Sequence, residues 1–384
     1  PDLDAKDYEA ISKSAWMEGA SLTNYYMLFG GTNFDYNGAS YISTSYCNRH
    51  PVACPILEPG GLWGAYYSVK ALGQWLDVFG TEFVRARPVE GAAAIVKGGG
   101  NKPPKVVQKT NGRRVFIFIR EEQDEQKHIR LSYTDPITQK EITIPQKGSI
   151  TLEPRDTRFL AGNVELDGIL MKYSTSEVAG TAQIGDKNMI ILHGPTNSSG
   201  EALFVCDERP DIAGDVDYKW HNNNQLRLNY DHGQKDKFIS LGDLVIAVTN
   251  SERAYRSLMM EADQAAAGIL SNCYFLGDYE LTDDSLTVNA ETQPGTAMLS
   301  AVLPESPKRV ELDGKNIPFE WDKNTQTAEF SFDTPSRPVV GQNFETARFK
   351  FDQFAEGSWQ PFSLEPLEFE GVFDKGYMRY RAEF

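Results

Sequence analysis

The stretch Leu22–Asn33, LTNYYMLFGGTN, limits the folds open to this chain more than any other. Leu22 to Gly30 carries no charge and is crowded with aromatics, and it runs into Gly30-Gly31 and the polar Thr32 and Asn33. A strand apolar on both faces must be buried on both, which is how a parallel strand inside an α/β fold reads. Upstream, Asp4 to Gly19 places Ala5, Tyr8, Ile11, Ala15 and Trp16 at helical spacing, with Asp4 as N-cap and Gly19 as C-terminal stop. Helix, short turn, buried strand and glycine-rich loop make one αβ step of a parallel sheet or barrel.

A second helix is expected over Trp63–Phe79, with Tyr66, Val69, Leu72, Trp75, Leu76 and Phe79 on one broad face and Gly80 as its stop. The run Gly98-Gly99-Gly100-Asn101-Lys102-Pro103-Pro104 punctuates the chain, and beyond Val106 the hydrophobic period switches to two. Strands are predicted at Val115–Arg120, His128–Tyr133, Glu141–Pro145, Ser149–Pro154, Ile169–Ser174, Met189–Gly194, Ala202–Asp207 and Leu244–Asn250. Their regular spacing indicates an antiparallel sandwich or barrel. Glu252–Ala267 is rich in Ala, Met and Leu and is expected to be helical, with Ser251 as cap. A second β-rich unit begins near Tyr274, where Asp313-Gly314 marks a hairpin, and ARFKFDQF and GYMRYRAEF alternate as strands toward the end.

At 384 residues the chain is long enough for two or three domains, and 40% apolar with 24% charged residues is ordinary for a folded protein. A formal charge of −16 opposes nucleic acid and anionic lipid and leaves neutral sugars indifferent. No apolar run reaches the roughly eighteen residues a membrane span needs. The four cysteines are too few for a disulfide framework; Cys47 and Cys54 either close a small surface loop or remain two thiols. Asn197-Ser198-Ser199 is a glycosylation sequon only in a secreted eukaryotic chain, and otherwise a polar loop.

YMLFGGTNF, Thr44-Ser45-Tyr46 and Pro55-Ile56-Leu57-Glu58 together resemble the last barrel strand, and the loop after it, of family 35 glycoside hydrolases, the β-galactosidases. The resemblance implies a multi-domain chain: the terminal αβα piece of a (β/α)8 TIM barrel over residues 1–87, followed by mainly antiparallel β-sandwich domains. These would be a β-rich domain over 88–270, a smaller one over 271–350, and the start of a truncated jelly roll over 351–384. The family's two catalytic glutamates lie on the fourth and seventh barrel strands, and no glutamate in Pro1–Gly80 has their context. The chain is therefore expected to be a fragment, inactive alone, with no catalytic residue, no cofactor and no metal. What remains is one wall of the substrate pocket, since barrel active sites lie at the C-terminal strand ends. Tyr26 matches a family tyrosine that points into the galactose site, Tyr46 matches the first tyrosine of the Ser-Tyr-Asp-Tyr motif, and Asn33 belongs to the same strand end. The second tyrosine of that motif is absent, with Cys47-Asn48 in its place and Arg49-His50-Pro51-Val52 inserted, which bears on galactose specificity. The implied partner is a β-galactoside oligosaccharide or glycan, with no nucleic acid and no membrane span, in an extracellular or periplasmic setting.

Other constellations carry less chemistry. Cys47, His50 and Cys54 lack the fourth ligand a structural zinc site requires. Asp35 reads as a turn or rim residue, and Asp283-Asp284 are adjacent side chains that diverge. A reading of another class is a non-catalytic carbohydrate-binding or scaffold protein with a vestigial barrel piece, which exposed aromatic platforms on the sandwiches would favour. An exposed apolar strand at Leu22–Phe29 is also expected to make residues 1–87 the less soluble part, so that a chain starting near Pro88 should be the better behaved.

Overall fold

The computed structural model describes residues 5–25, 28–29, 55–57, 60–260, 267–282, 284–312 and 314–335, and the backbone of three strands at 344–348, 360–362 and 378–382. Three helices occur among the described residues: α1 (Ala5–Glu18), α2 (Gly64–Phe83) and α3 (Ser251–Tyr255). Everything else that is regular is β-sheet, mostly antiparallel.

The largest layer is an eight-stranded sheet running in the order Arg87–Val89, Lys105–Thr110, Val115–Arg120, Thr157–Leu166, Ile169–Ser174, Ser199–Val205, Gln225–Asp231 and Asp217–His221. The run VFIFIR lies inside it and is buried along five residues. The reason is that both faces are covered. Phe116 and Phe118 point into a core shared with Phe159, Met171 and Phe204, whereas Val115, Ile117 and Ile119 point the other way against Ile129, Leu131 and Tyr133. Strand alternation thus feeds two cores, which an antiparallel sheet can do when it is the middle of three layers.

The first core is closed by a five-stranded sheet in the order Glu177–Ile184, Lys187–Gly194, Leu244–Asn250, Lys237–Leu241 and Ile212–Ala213. Here Lys187–Gly194 and Leu244–Asn250 pair in parallel, a departure from the expected antiparallel pattern. Ile190, Leu192, Ile246 and Val248 face the first core, while Met189, Ile191, Val245 and Ala247 face Leu270 and Val302 of the next unit. That unit packs a five-stranded sheet, which includes Ala267–Ser271, Gly295–Val302 and Thr327–Thr334, against a four-stranded one around Leu286, Val288, Leu299 and Phe330. The predicted hairpin is present: Arg309–Leu312 pairs with Lys315–Ile317, and Gly314 takes φ 76°, the conformation a two-residue turn asks of glycine. The three strands 344–348, 360–362 and 378–382 form a separate small sheet.

Helices α1 and α2 do not stand apart from the sandwich. Trp16 and Met17 of α1 and Leu72, Trp75, Phe79 and Phe83 of α2 belong to the first core. Trp75 stacks on Phe159 with centroids 3.9 Å apart, and Phe159 stacks in turn on Phe118 at 3.8 Å. This packing argues against the expectation that a chain starting near Pro88 would be better behaved, because removing the helices strips Phe116, Phe118 and Phe159 of their cover. Gly80 does not stop α2, which runs on to Phe83; burying Phe79 and Phe83 outweighs the roughly 1 kcal/mol a mid-helix glycine costs.

Two further expectations change. The helix over Glu252–Ala267 is only the five-residue α3, capped by the Asn250 side chain, which accepts from Arg253 N at 3.0 Å, and not by Ser251. Strand Leu258–Met260 follows it and Ala267 opens another strand; 261–266 lie outside the described residues. Residues 21–25 form no strand, Phe29 makes one isolated parallel bridge to Ile56, and Leu22 is 83% exposed. A lone bridge cannot cover two apolar faces, so Leu28 and Phe29 are exposed as well.

Candidate functional site

Tyr26, Asn33 and Tyr46 lie outside the described residues, as do Asp35, Cys47, His50 and Cys54. What the structure describes is the ground on either side of them. Phe29 bridges Ile56, whose N–H donates to Leu28 O at 2.9 Å, and Ile56 bridges Leu62 in the antiparallel sense. Leu57 N donates to Gly61 O and Gly60 N to Leu57 O, both at 2.8 Å, while Trp63 N donates to Pro55 O at 3.0 Å. The segment is thus a tight turn whose outgoing arm enters α2. Leu62 is held from outside by Tyr274: its N–H donates to the phenol oxygen, and the phenol donates to Leu62 O at 3.0 Å. Tyr67, in the second turn of α2, donates its hydroxyl to Tyr274 O. Burial pushes the Tyr67 phenol up to about 12, against the pull of Arg256, whose guanidinium sits 4.7 Å over the ring.

The densest cluster of titratable groups lies where α1 meets the sandwich. Lys13 Nζ is 2.5 Å from Glu9 Oε1 and 2.5 Å from Glu177 Oε1, and it also donates to Thr157 O at 3.1 Å. Glu177 is further bound by Arg158 Nη1 and by Phe159 N, each at 2.9 Å, and Arg158 Nε lies 2.9 Å from Asp156. The Tyr255 hydroxyl, on α3, donates to the Glu9 carboxylate, 2.8 and 2.9 Å from its oxygens. Burial pushes Glu177 upward, but Lys13 and Arg158 outweigh it and hold the carboxyl down to about 2. Burial wins at Glu9, whose carboxyl is raised despite Lys13. A cavity of about 230 Å3 beside the cluster is lined by Lys6, Glu153, Arg155 and Glu252 among others.

Two buried carboxylates with opposed shifts can mark an acid/base pair. Here both carboxylates are already held, Glu177 by Lys13, Arg158 and Phe159 N and Glu9 by Lys13 and Tyr255, which is the contact set of a structural tie. The cluster is a tie between α1, the sandwich and α3. Other buried carboxylates are likewise engaged within the fold, Glu121 with Lys127 and Gln123 N among them. Glu201 accepts from Tyr173, Gln146 N, Lys147 N and Asn229, Asp135 from Lys172, Asn163 and Thr138, and Asp236 from Arg253, Thr249 and Ser300. Among the described residues no group of three or more His, Cys, Asp or Glu is placed to hold a metal, and Cys206 and Cys273 are buried. Asp284 is exposed and paired with Lys308, whose hydrogen bond holds its carboxyl below the usual range.

None of the tie was foreseen from sequence; its i,i+4 half, Glu9 and Lys13 on one helix face, is the one part a local pattern could have offered. Glu177 and Tyr255 stand 164 and 246 residues away from their partners, where no local pattern reaches.

Residues 105–256, the strands that bury Phe116, Phe159 and Glu177, match the family model described as Beta-galactosidase, domain 2. The resemblance is to β-galactosidases. A probable beta-galactosidase A of Aspergillus fumigatus is 22% identical over 416 aligned positions that cover 95% of this chain. Beta-galactosidase A of a Penicillium species is 21% identical over 81% of the chain, and that of Aspergillus niger 22% over 79%. This chain spans about two fifths of the first of these β-galactosidases, 40% of its length, and 32% of each of the other two. No described helix is long and apolar enough to cross a membrane.

Proposed function

We propose that this chain is part of a retaining glycoside hydrolase acting on terminal β-galactosides, with the catalytic carboxylates outside these residues. The observation that carries the reading is the packing of α1 and α2 on the β-galactosidase-like sandwich: the helices flanking the YMLFGGTNF motif share one aromatic core with residues 105–256. In this reading residues 1–87 contribute the last strand and helices of a (β/α)8 barrel, 88–270 and 271–350 are two β-domains that brace it, and 351–384 open a jelly roll. Tyr26, Asn33 and Tyr46 line the sugar pocket. A phenol there donates to a sugar hydroxyl or to the nucleophile carboxylate while its ring excludes water. Two carboxylates about 5–5.5 Å apart supply the nucleophile and the acid then base, both from other strands. The enzyme works outside the cell or in the periplasm, on a neutral glycan to which a charge of −16 is no obstacle.

The test is release of nitrophenol from an aryl β-galactoside. Purified 1–384 is expected to give none above background, and the protein with its upstream barrel strands to turn over. Turnover by 1–384 that follows the protein through purification and disappears in Asp35→Asn sinks the assignment of the carboxylates; a full-length protein without turnover sinks the galactosidase reading.

A further inference from the structure

We propose that Tyr274 is a positioning residue for the sugar-pocket wall, reaching it from the neighbouring β-domain; the inference rests on the function proposed above. Tyr274 precedes the strand Phe275–Leu281, in a unit with a hydrophobic core of its own. Its hydroxyl uses both of its capacities on one residue, accepting Leu62 N–H and donating to Leu62 O at 3.0 Å. A half-buried tyrosine that only fills space needs at most one protein partner for its hydroxyl. This one takes the N–H and the C=O of a single residue, as a neighbouring strand would, and so satisfies an edge of Leu62 within an isolated bridge.

From there the path to the wall is short. Leu62 is bridged to Ile56, and Ile56 to Phe29, which is followed directly by Gly30-Gly31 and stands three residues after Tyr26 and four before Asn33. The other end of the brace is equally fixed. Tyr67 donates to Tyr274 O, and Arg256, stacked on Tyr67, donates through Nη1 to Cys273 O at 3.0 Å. Lys70 of α2 donates to Ser257 O. Tyr274 therefore cannot follow the turn if the turn moves; it sets where the turn sits. Since a displacement of about 1 Å in a positioning group costs up to about a hundredfold in rate, a brace on this turn acts on catalysis without touching sugar.

The experiment compares Tyr274→Phe with Leu299→Ala in the full-length enzyme. Leu299→Ala opens the core of the same β-domain without touching the turn. In Tyr274→Phe the amides of Ile56, Leu62 and Trp63 are expected to exchange about tenfold faster with deuterium. Its kcat/KM on an aryl β-galactoside should fall about three- to thirtyfold. Leu299→Ala lowers the melting temperature at least as much and leaves kcat/KM of the folded enzyme in place. Unchanged exchange at Leu62 overturns the proposal, as does faster exchange with unchanged kcat/KM in an enzyme that turns over. A wild-type enzyme without turnover sinks the galactosidase reading instead, and exchange alone then decides whether Tyr274 holds the turn.

Discussion

Lys13 is a buried ammonium between two carboxylates, Glu9 on its own helix and Glu177 on the sandwich. Burial works against its charge, and the two carboxylates outweigh that cost and hold the ammonium above its ordinary value. Lys13→Met leaves both carboxylates short of their shared cation, and breaking a buried pair in this way costs about 3–5 kcal/mol. Urea unfolding monitored by tryptophan fluorescence measures it, and a loss under about 1 kcal/mol means the tie is dispensable. Beside it, burial pushes the imidazoles of His193 and His232 down to about 3 from 6.5. A histidine kept neutral in the fold contributes stability that is present above pH 6.5 and lost as pH falls toward 3. Glu177 adds to the acid loss between 4.5 and about 2, whereas raised Glu9 works the other way, gaining as pH falls toward 4.5. The melting temperature should therefore drop from pH 7 to pH 4, and less steeply in His193→Gln; a flat profile contradicts the buried neutral imidazoles. If Tyr26 lines the proposed pocket, Tyr26→Phe in the full-length enzyme should cost about 0.5–1.5 kcal/mol of transition-state binding, or up to about 3 if the phenol pairs with an ionised nucleophile. Unchanged kcat/KM with a lowered melting temperature returns Tyr26 to a packing role.

Helix α2 joins the N-terminal helices to the sandwich through one seam, Trp75 stacked on Phe159 and edge-on to Phe83 and Phe116. Trp75→Ala is expected to cost about 3–5 kcal/mol by calorimetry or denaturant titration, since the ring leaves a cavity that the aromatic rings packed around it cannot refill. A cost of 1 kcal/mol or less places the core elsewhere. Much of this element scale was legible in the sequence. Val115–Arg120, Ile169–Ser174 and Leu244–Asn250 are strands with the bounds their residues predicted, because an apolar run closed by charge or turn residues has few alternatives. The helix face Leu72, Trp75 and Phe79 was legible too, but not its target, since periodicity says that a face is buried and not by what. The same limit explains Glu252–Ala267, where Ala, Met and Leu suggest helix while Leu258–Met260 pairs with Ala267–Ser271 as a strand. The brace on Leu62 was not legible, since Tyr274 stands 212 residues away and announces nothing locally.

For the molecule as a whole, α1 and α2 cover the sandwich through Trp16, Met17, Leu72, Trp75, Phe79 and Phe83, while Ile11, Leu22, Leu28, Phe29, Leu76 and Val84 are exposed. A groove of about 310 Å3 between α1 and α2 is lined by Trp16, Leu22, Tyr25, Leu76 and Val84. A chain trimmed to 88–384 exchanges that groove for the uncovered ring faces of Phe116, Phe118 and Phe159. It is expected to bind more of a hydrophobic dye and to unfold at lower temperature than 1–384; equal or weaker dye binding contradicts the shared core. The tie at Glu9 also has a consequence in time. Its hydroxyl partner Tyr255 is 246 residues further along, so a ribosome adding about 5–20 residues per second delivers Tyr255 on the order of ten to fifty seconds after α1. For the first part of that interval, until α2 and the strands from Val115 onward emerge, Trp16 and Met17 wait without the partners that will bury them, and the newborn helix depends on chaperones to keep from sticking to other chains.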